Sequence, residues 1–66
     1  MPPIWKPKDP ELLKSWVEAI IAEASDELTM WETKFIEDMQ TRLNHGWPLT
    51  QSQEEKLEQI YAERTS

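Results

Sequence analysis

Bulky apolar residues recur at steps of three and four along most of the chain, the period of an α-helix with one buried face. The first set is Leu12, Leu13, Trp16, Val17, Ile20, Ile21 and Ala24, with Lys14, Ser15, Glu18 and Glu23 falling mostly on the other side. Asp9 is placed to cap this segment, Pro10 suits the first helical position, and Glu11 complements the dipole. These signals predict a helix over 9–25, followed by a turn at Ser25-Asp26-Glu27-Leu28. A second helix over 29–45 is announced by Thr29-Met30-Trp31-Glu32, in which the Thr hydroxyl and the Glu carboxylate can each satisfy an orphan amide of the first turn. Trp31, Phe35, Ile36, Met39 and Leu43 form its expected buried stripe. Gly46, the one glycine in the chain, is placed to end it in the left-handed conformation. Pro48 then forces Trp47 to be extended. A second box, Thr50-Gln51-Ser52-Gln53, opens a third helix over 50–64 that carries Leu57, Ile60 and Tyr61, with Glu54 and Glu55 in its first turn and Arg64 in its last. Its thin stripe predicts a helix lying across the other two.

No segment alternates with period two and no hairpin dipeptide is present. The expected fold is all-α: a single helical domain over 9–66, built of three helices and preceded by an extended arm over 1–8. Three prolines, Pro2, Pro3 and Pro7, oppose helix in that arm, which carries Ile4 and Trp5. Trp5 either tucks back onto the helices or docks on a partner. Two long helices and a thin third also lend themselves to completion by dimerisation.

The segment Leu28–Glu63, a little over half of the chain, resembles one found in small phage and prophage proteins. There a helix with a W-E-x-x-F-I pattern ends in Gly, and an L-T or L-S pair, a Gln three residues later and L-x-x-I-Y come after it. The matching positions are Trp31, Glu32, Phe35, Ile36, Gly46, Leu49, Thr50, Gln53, Leu57, Ile60 and Tyr61. The resemblance implies a phage-derived helical interaction module and no catalytic residue.

Composition narrows the chemistry. Sixty-six residues make at most one domain, and a chain of that size has little core to spare. Without Cys there is no disulfide or thiolate metal site. Thirteen acidic against seven basic residues give a net charge of −6, which disfavours phosphate backbones and anionic lipid and favours solubility or a basic partner. No apolar run is long enough for a membrane span and the N-terminus lacks the apolar stretch of a signal peptide, so the expected location is cytoplasmic. The single His, His45, has no nucleophile or orienting group suggested nearby, and one His cannot supply a zinc set. Asp26, Glu27, Glu37 and Asp38 do not follow a calcium-loop spacing. No enzyme activity, cofactor or metal is expected.

What remains is surface. Glu54, Glu55 and Glu58 are expected to form an acidic face at the start of the third helix, either merely solvated or mimicking nucleic acid in a basic groove of another protein. Trp47 either plugs the bottom of the bundle or stands exposed as an anchor, tryptophan being enriched in binding hot spots. Met30 and Trp5 are further candidates for an exposed apolar patch. A helix-turn-helix reading is weakened by Glu54, Glu55, Glu58 and Glu63, which would face phosphates with only Lys56 and Arg64 to offset them, and by a turn, Asn44 to Leu49, longer than that motif uses. The expectation is a non-enzymatic interaction module that contacts a protein partner or a second copy of itself. A nucleic-acid mimic comes second and a DNA-binding module third.

Overall fold

A computed structural model describes residues 6–65; Trp5 and the rest of 1–5 lie outside the described residues, as does 66. Three helices succeed one another, α1 (Pro10–Ala24), α2 (Met30–Asn44) and α3 (Gln51–Arg64), and no strand occurs among the described residues. Each start is fixed locally. Asp9 accepts the Glu11 N–H through its side chain (2.9 Å). At α2, Thr29 Oγ1 accepts from the Glu32 N–H (3.1 Å) while Glu32 Oε1 accepts from the Thr29 N–H (2.9 Å). Thr50 and Gln53 repeat the reciprocal pair at α3 with the same two distances, 3.1 and 2.9 Å. Four amide donors at the starts of α2 and α3 are thereby satisfied without tertiary help.

The end of α2 is equally well specified. Gly46 has φ +75. Its N–H donates to the Leu43 carbonyl (3.1 Å) and the next amide, Trp47 N–H, donates to the Arg42 carbonyl (2.8 Å). These are the two bonds of a Schellman motif, which needs a left-handed residue between them. The chain then turns towards α3, and Leu49, 6 % exposed, closes the core at that end. Of the two roles open to Trp47, the plug therefore belongs to Leu49; Trp47 itself is 51 % exposed.

The core consists of one row from each helix. Leu13, Val17, Ile20 and Ala24 come from α1; Ile36, Met39 and Leu43 from α2; and Leu57 and Ile60 from α3. Trp16, Leu28, Phe35 and Tyr61 pack against its margin, with Trp16 stacked on Tyr61 at 5.3 Å between ring centroids. α3 does not merely lie across the other two. Leu57 and Ile60 are wholly buried, and α3 makes its most extensive contact with α1. Its stripe looks thin in sequence because its inward row begins and ends with charged groups, Glu54 and Arg64, in place of apolar ones.

Three sequence expectations about burial are corrected. Trp31 is 57 % exposed, and Glu32 beside it is buried. The inward row of α2 runs 32, 36, 39, 43 in steps of four, three and four, so Trp31 lies one position off it and shares the neighbouring row with Phe35, Asp38 and Arg42. Leu12 and Ile21 flank the row of α1 in the same way and are partly exposed. Glu54 is buried at 1 % exposure, so it is not part of an exposed acidic face.

Candidate functional site

Two buried carboxylates tie the bundle together, one at each end. Glu54, in the first turns of α3, accepts the Lys8 backbone N–H at 3.1 and 3.3 Å through its two oxygens. The Lys8 ammonium lies 3.9 Å from Glu54 and 3.8 Å from Glu58. The segment entering α1 is thus held to the start of α3, where the helix dipole also favours an anion. At the opposite end Glu32 Oε1, already bound to the Thr29 amide, accepts a second hydrogen bond from Arg64 Nη2 (3.0 Å). This joins the start of α2 to the end of α3. The Thr29 amide holds the Glu32 carboxyl below the usual carboxylate range against the upward push of burial, and Arg64 adds to the lowering. The buried Arg64 Nε has no hydrogen-bond partner. These acids serve the fold and are not free to recognise anything else.

Among the described residues, the large apolar side chains that are more than half exposed fall into two groups separated by the length of α2, about 22 Å for its 15 residues. At the start of α2, Met30 is 78 % and Trp31 57 % exposed. Trp31 stacks on Phe35 one turn later (5.2 Å between ring centroids), and the Lys56 ammonium from α3 sits over the Trp31 ring at 5.3 Å, within the range of a cation–π contact. At the end of α2, Trp47 lies against the His45 ring at 4.6 Å, and His45 Nδ1 donates to the Thr41 carbonyl (2.9 Å). Trp47 forms one wall of an open cleft of about 440 Å³ with Pro7, Pro10, Leu13, Pro48 and Leu49.

The expected contact residues are therefore dispersed. Met30 and Trp47 lie at opposite ends of α2, Glu55 and Glu58 are exposed on α3, and Glu54 is inside. The sequence reading missed Trp31 as a surface group, and with it the contact that Lys56 makes over its ring. The signal was present in spacing, because counting back from Ile36, Met39 and Leu43 by whole turns lands on Glu32 and not on Trp31. Among the described residues no three His, Asp or Glu side chains gather closely enough to hold a metal ion, and no helix is long and apolar enough to cross a membrane. The chain matches no family model, no curated protein and no solved structure.

Proposed function

We propose that this protein is a non-enzymatic interaction module of phage or prophage type, acting in the cytoplasm by presenting a helical surface to a protein partner or to a second copy of itself. One observation carries the reading: the chain buries two glutamates while keeping Trp31, Met30 and Trp47 on its surface. A small domain has little apolar area to spare, so a fold tuned for stability alone gains from the reverse arrangement. Exposed Trp and Met beside a polar rim are what an interface anchor requires. The nucleic-acid-mimic reading is weakened because one of its three carboxylates is taken up inside the fold. The DNA-binding reading is disfavoured by Glu55, Glu58 and Glu63 on the outside of α3.

Site-specific photo-crosslinking tests this. A benzophenone amino acid is placed at Met30, at Trp47 and, as control, at the exposed Glu23 on α1, in cells of the host that carries the gene. The module reading expects a discrete adduct, hetero- or homotypic, from position 30 or 47 and none from 23. Equal, diffuse labelling at all three positions overturns it, as does purified protein that turns over a substrate by itself.

A further inference from the structure

The distribution of cations around Trp31 specifies a partner more closely than an interaction module in general, and the partner chemistry drawn from it rests on that reading. Four basic side chains among the described residues already face carboxylates: Lys8 faces Glu54 and Glu58, Lys14 faces Glu11 (3.7 Å), Arg42 faces Asp38 (3.2 Å) and Arg64 faces Glu32 (3.0 Å). Lys6, Lys34 and Lys56 have no carboxylate within 4.0 Å among the described residues. Lys6 belongs to the arm ahead of α1; the other two belong to the surface around Trp31. Lys56 lies over its ring, and Lys34 stands three residues along the same helix, hence on a neighbouring position of the same side. Two ammonium groups with no carboxylate within 4.0 Å, in a chain of net charge −6, thus stand beside the most exposed aromatic and thioether side chains among the described residues.

The local backbone favours a helical occupant. α2 and α3 make the least extensive contact of the three helix pairs, so the seam beside Trp31 and Phe35 is the least closely packed of the three. A helix laid along it would take the place of a fourth member and set apolar side chains at three- and four-residue steps against the Trp31–Phe35 stack. Its flanks would meet Lys34 and Lys56.

We infer that the surface formed by Met30, Trp31 and Phe35, bordered by Lys34 and Lys56, docks an acidic amphipathic helix of a protein partner. The charge pattern gives this contact direction. An acidic helix would be drawn to Lys34 and Lys56 here, whereas carboxylates dominate much of the remaining helical surface and would oppose misplaced encounters. A basic helix would be drawn to the rest of the surface and pushed away here. A symmetric pairing of two copies through this face would bring Lys34 and Lys56 towards their own counterparts, so a second copy fits less well.

The test is an NMR titration of the isotope-labelled chain, following the indole N–H signals of its tryptophans. The probes are a synthetic helix-forming peptide of roughly 18 residues, five turns, with Leu at three- and four-residue steps and Glu elsewhere; the same peptide with Lys in place of Glu; and oligothymidylate. The acidic peptide is expected to move the Trp31 signal saturably while leaving Trp16 in place. Affinity should fall about tenfold or more in Lys34→Glu/Lys56→Glu, and in high salt, as expected for a contact steered by charge. Both lysines point to solvent or a ring face, so circular dichroism should show that this variant still folds; Trp31→Ala gives an independent loss of the same contact. The inference is overturned if Trp31 stays unmoved to millimolar acidic peptide, if the basic peptide or oligothymidylate binds the same face as well, or if the double variant binds unchanged. It is also overturned if the Trp31 signal of the protein alone shifts with its own concentration, which would make a second copy the occupant. Crosslinks from Met30 to a discrete partner alongside failed peptide arms would leave the module reading standing with a different partner chemistry. Failure of both would remove both.

Discussion

Glu32 is the residue on which the sharpest stability prediction rests, because one oxygen carries two separable interactions. Oε1 accepts from the Thr29 amide at 2.9 Å and from Arg64 Nη2 at 3.0 Å. The first is a capping contact, worth about 1 kcal/mol. The second is a charge-assisted hydrogen bond whose acceptor side chain is 11 % and donor side chain 30 % exposed, which places it near the lower end of the range, about 1–2 kcal/mol. Glu32→Ala loses both and is expected to cost about 2–3 kcal/mol. Glu32→Gln keeps a carbonyl oxygen for the Thr29 amide and loses only the charge, for about 1 kcal/mol. In a domain of this size each kcal/mol moves Tm by about 4–8 °C, so the two variants separate by roughly 5–15 °C in thermal unfolding followed by circular dichroism at neutral pH. A double-mutant cycle of Glu32→Gln with Arg64→Met should return a coupling of about 1 kcal/mol. Acid supplies an independent check. The folded carboxyl is held below its unfolded value, so its contribution is fully present above that value, about 4.3, and is lost as the pH falls through the lower folded one. The advantage of the wild type over Glu32→Gln should therefore shrink below about pH 4.3. If Gln and Ala are equally destabilising, if the coupling is nil, or if the advantage survives undiminished in strong acid, Glu32 does not act in the two ways described.

Two further predictions concern the helix join and the core. Gly46 sits at φ +75 with nothing within 4 Å of where a Cβ would stand, so Gly46→Ala should cost about 1 kcal/mol from backbone conformation alone. A D-alanine at the same position, accessible by chemical synthesis, should instead stabilise by about 0.4–1 kcal/mol, and equal destabilisation by both enantiomers in urea unfolding would contradict the left-handed cap. Leu57 is wholly buried on the helix with the fewest apolar residues facing inward, so Leu57→Ala should cost about 2–5 kcal/mol, enough to lose cooperative unfolding, whereas Met30→Ala, 78 % exposed, should stay within about 0.5 kcal/mol of the wild type.

The helix starts and the end of α2 were readable because their signals are local. A Thr-x-x-Glu or Thr-x-x-Gln box and a lone glycine act on amides within a few residues, whatever the rest of the chain does. Which side of each helix turned inward was less readable, for a specific reason. On α2 the rows 31, 35 and 32, 36, 39, 43 lie side by side, and hydrophobicity alone favours placing Trp31 with the core. The deciding interactions act at a distance in sequence: Arg64 lies 32 residues from Glu32 and Lys8 lies 46 from Glu54. A glutamate at the first inward position of a helix looks like a solvated dipole partner until the cation that accompanies it indoors is located. The acidic face expected at the start of α3 went astray for the same reason, since Glu54, Glu55 and Glu58 are alike in sequence and differ only in what the incoming segment brings to them.

The same geometry connects stability to the exposed surface. Glu32 and Trp31 are adjacent, so rotating α2 to bury the indole would expose the carboxylate, strip Arg64 of its partner and break the reciprocal cap at Thr29. The Glu32–Arg64 tie thereby holds Trp31 outward and keeps Phe35 stacked beneath it. Because Lys56 sits on α3, one turn before Ile60 and two before Arg64, the tie also positions the helix from which its ammonium reaches over the indole. The exposed indole and the half-buried Phe35 beside it are accordingly presented by two helices tied together at that end. A partner that uses them meets a preformed surface and forgoes the ordering cost that a flexible anchor would impose. Loosening the tie by Glu32→Gln should weaken such a contact without touching any residue that makes it.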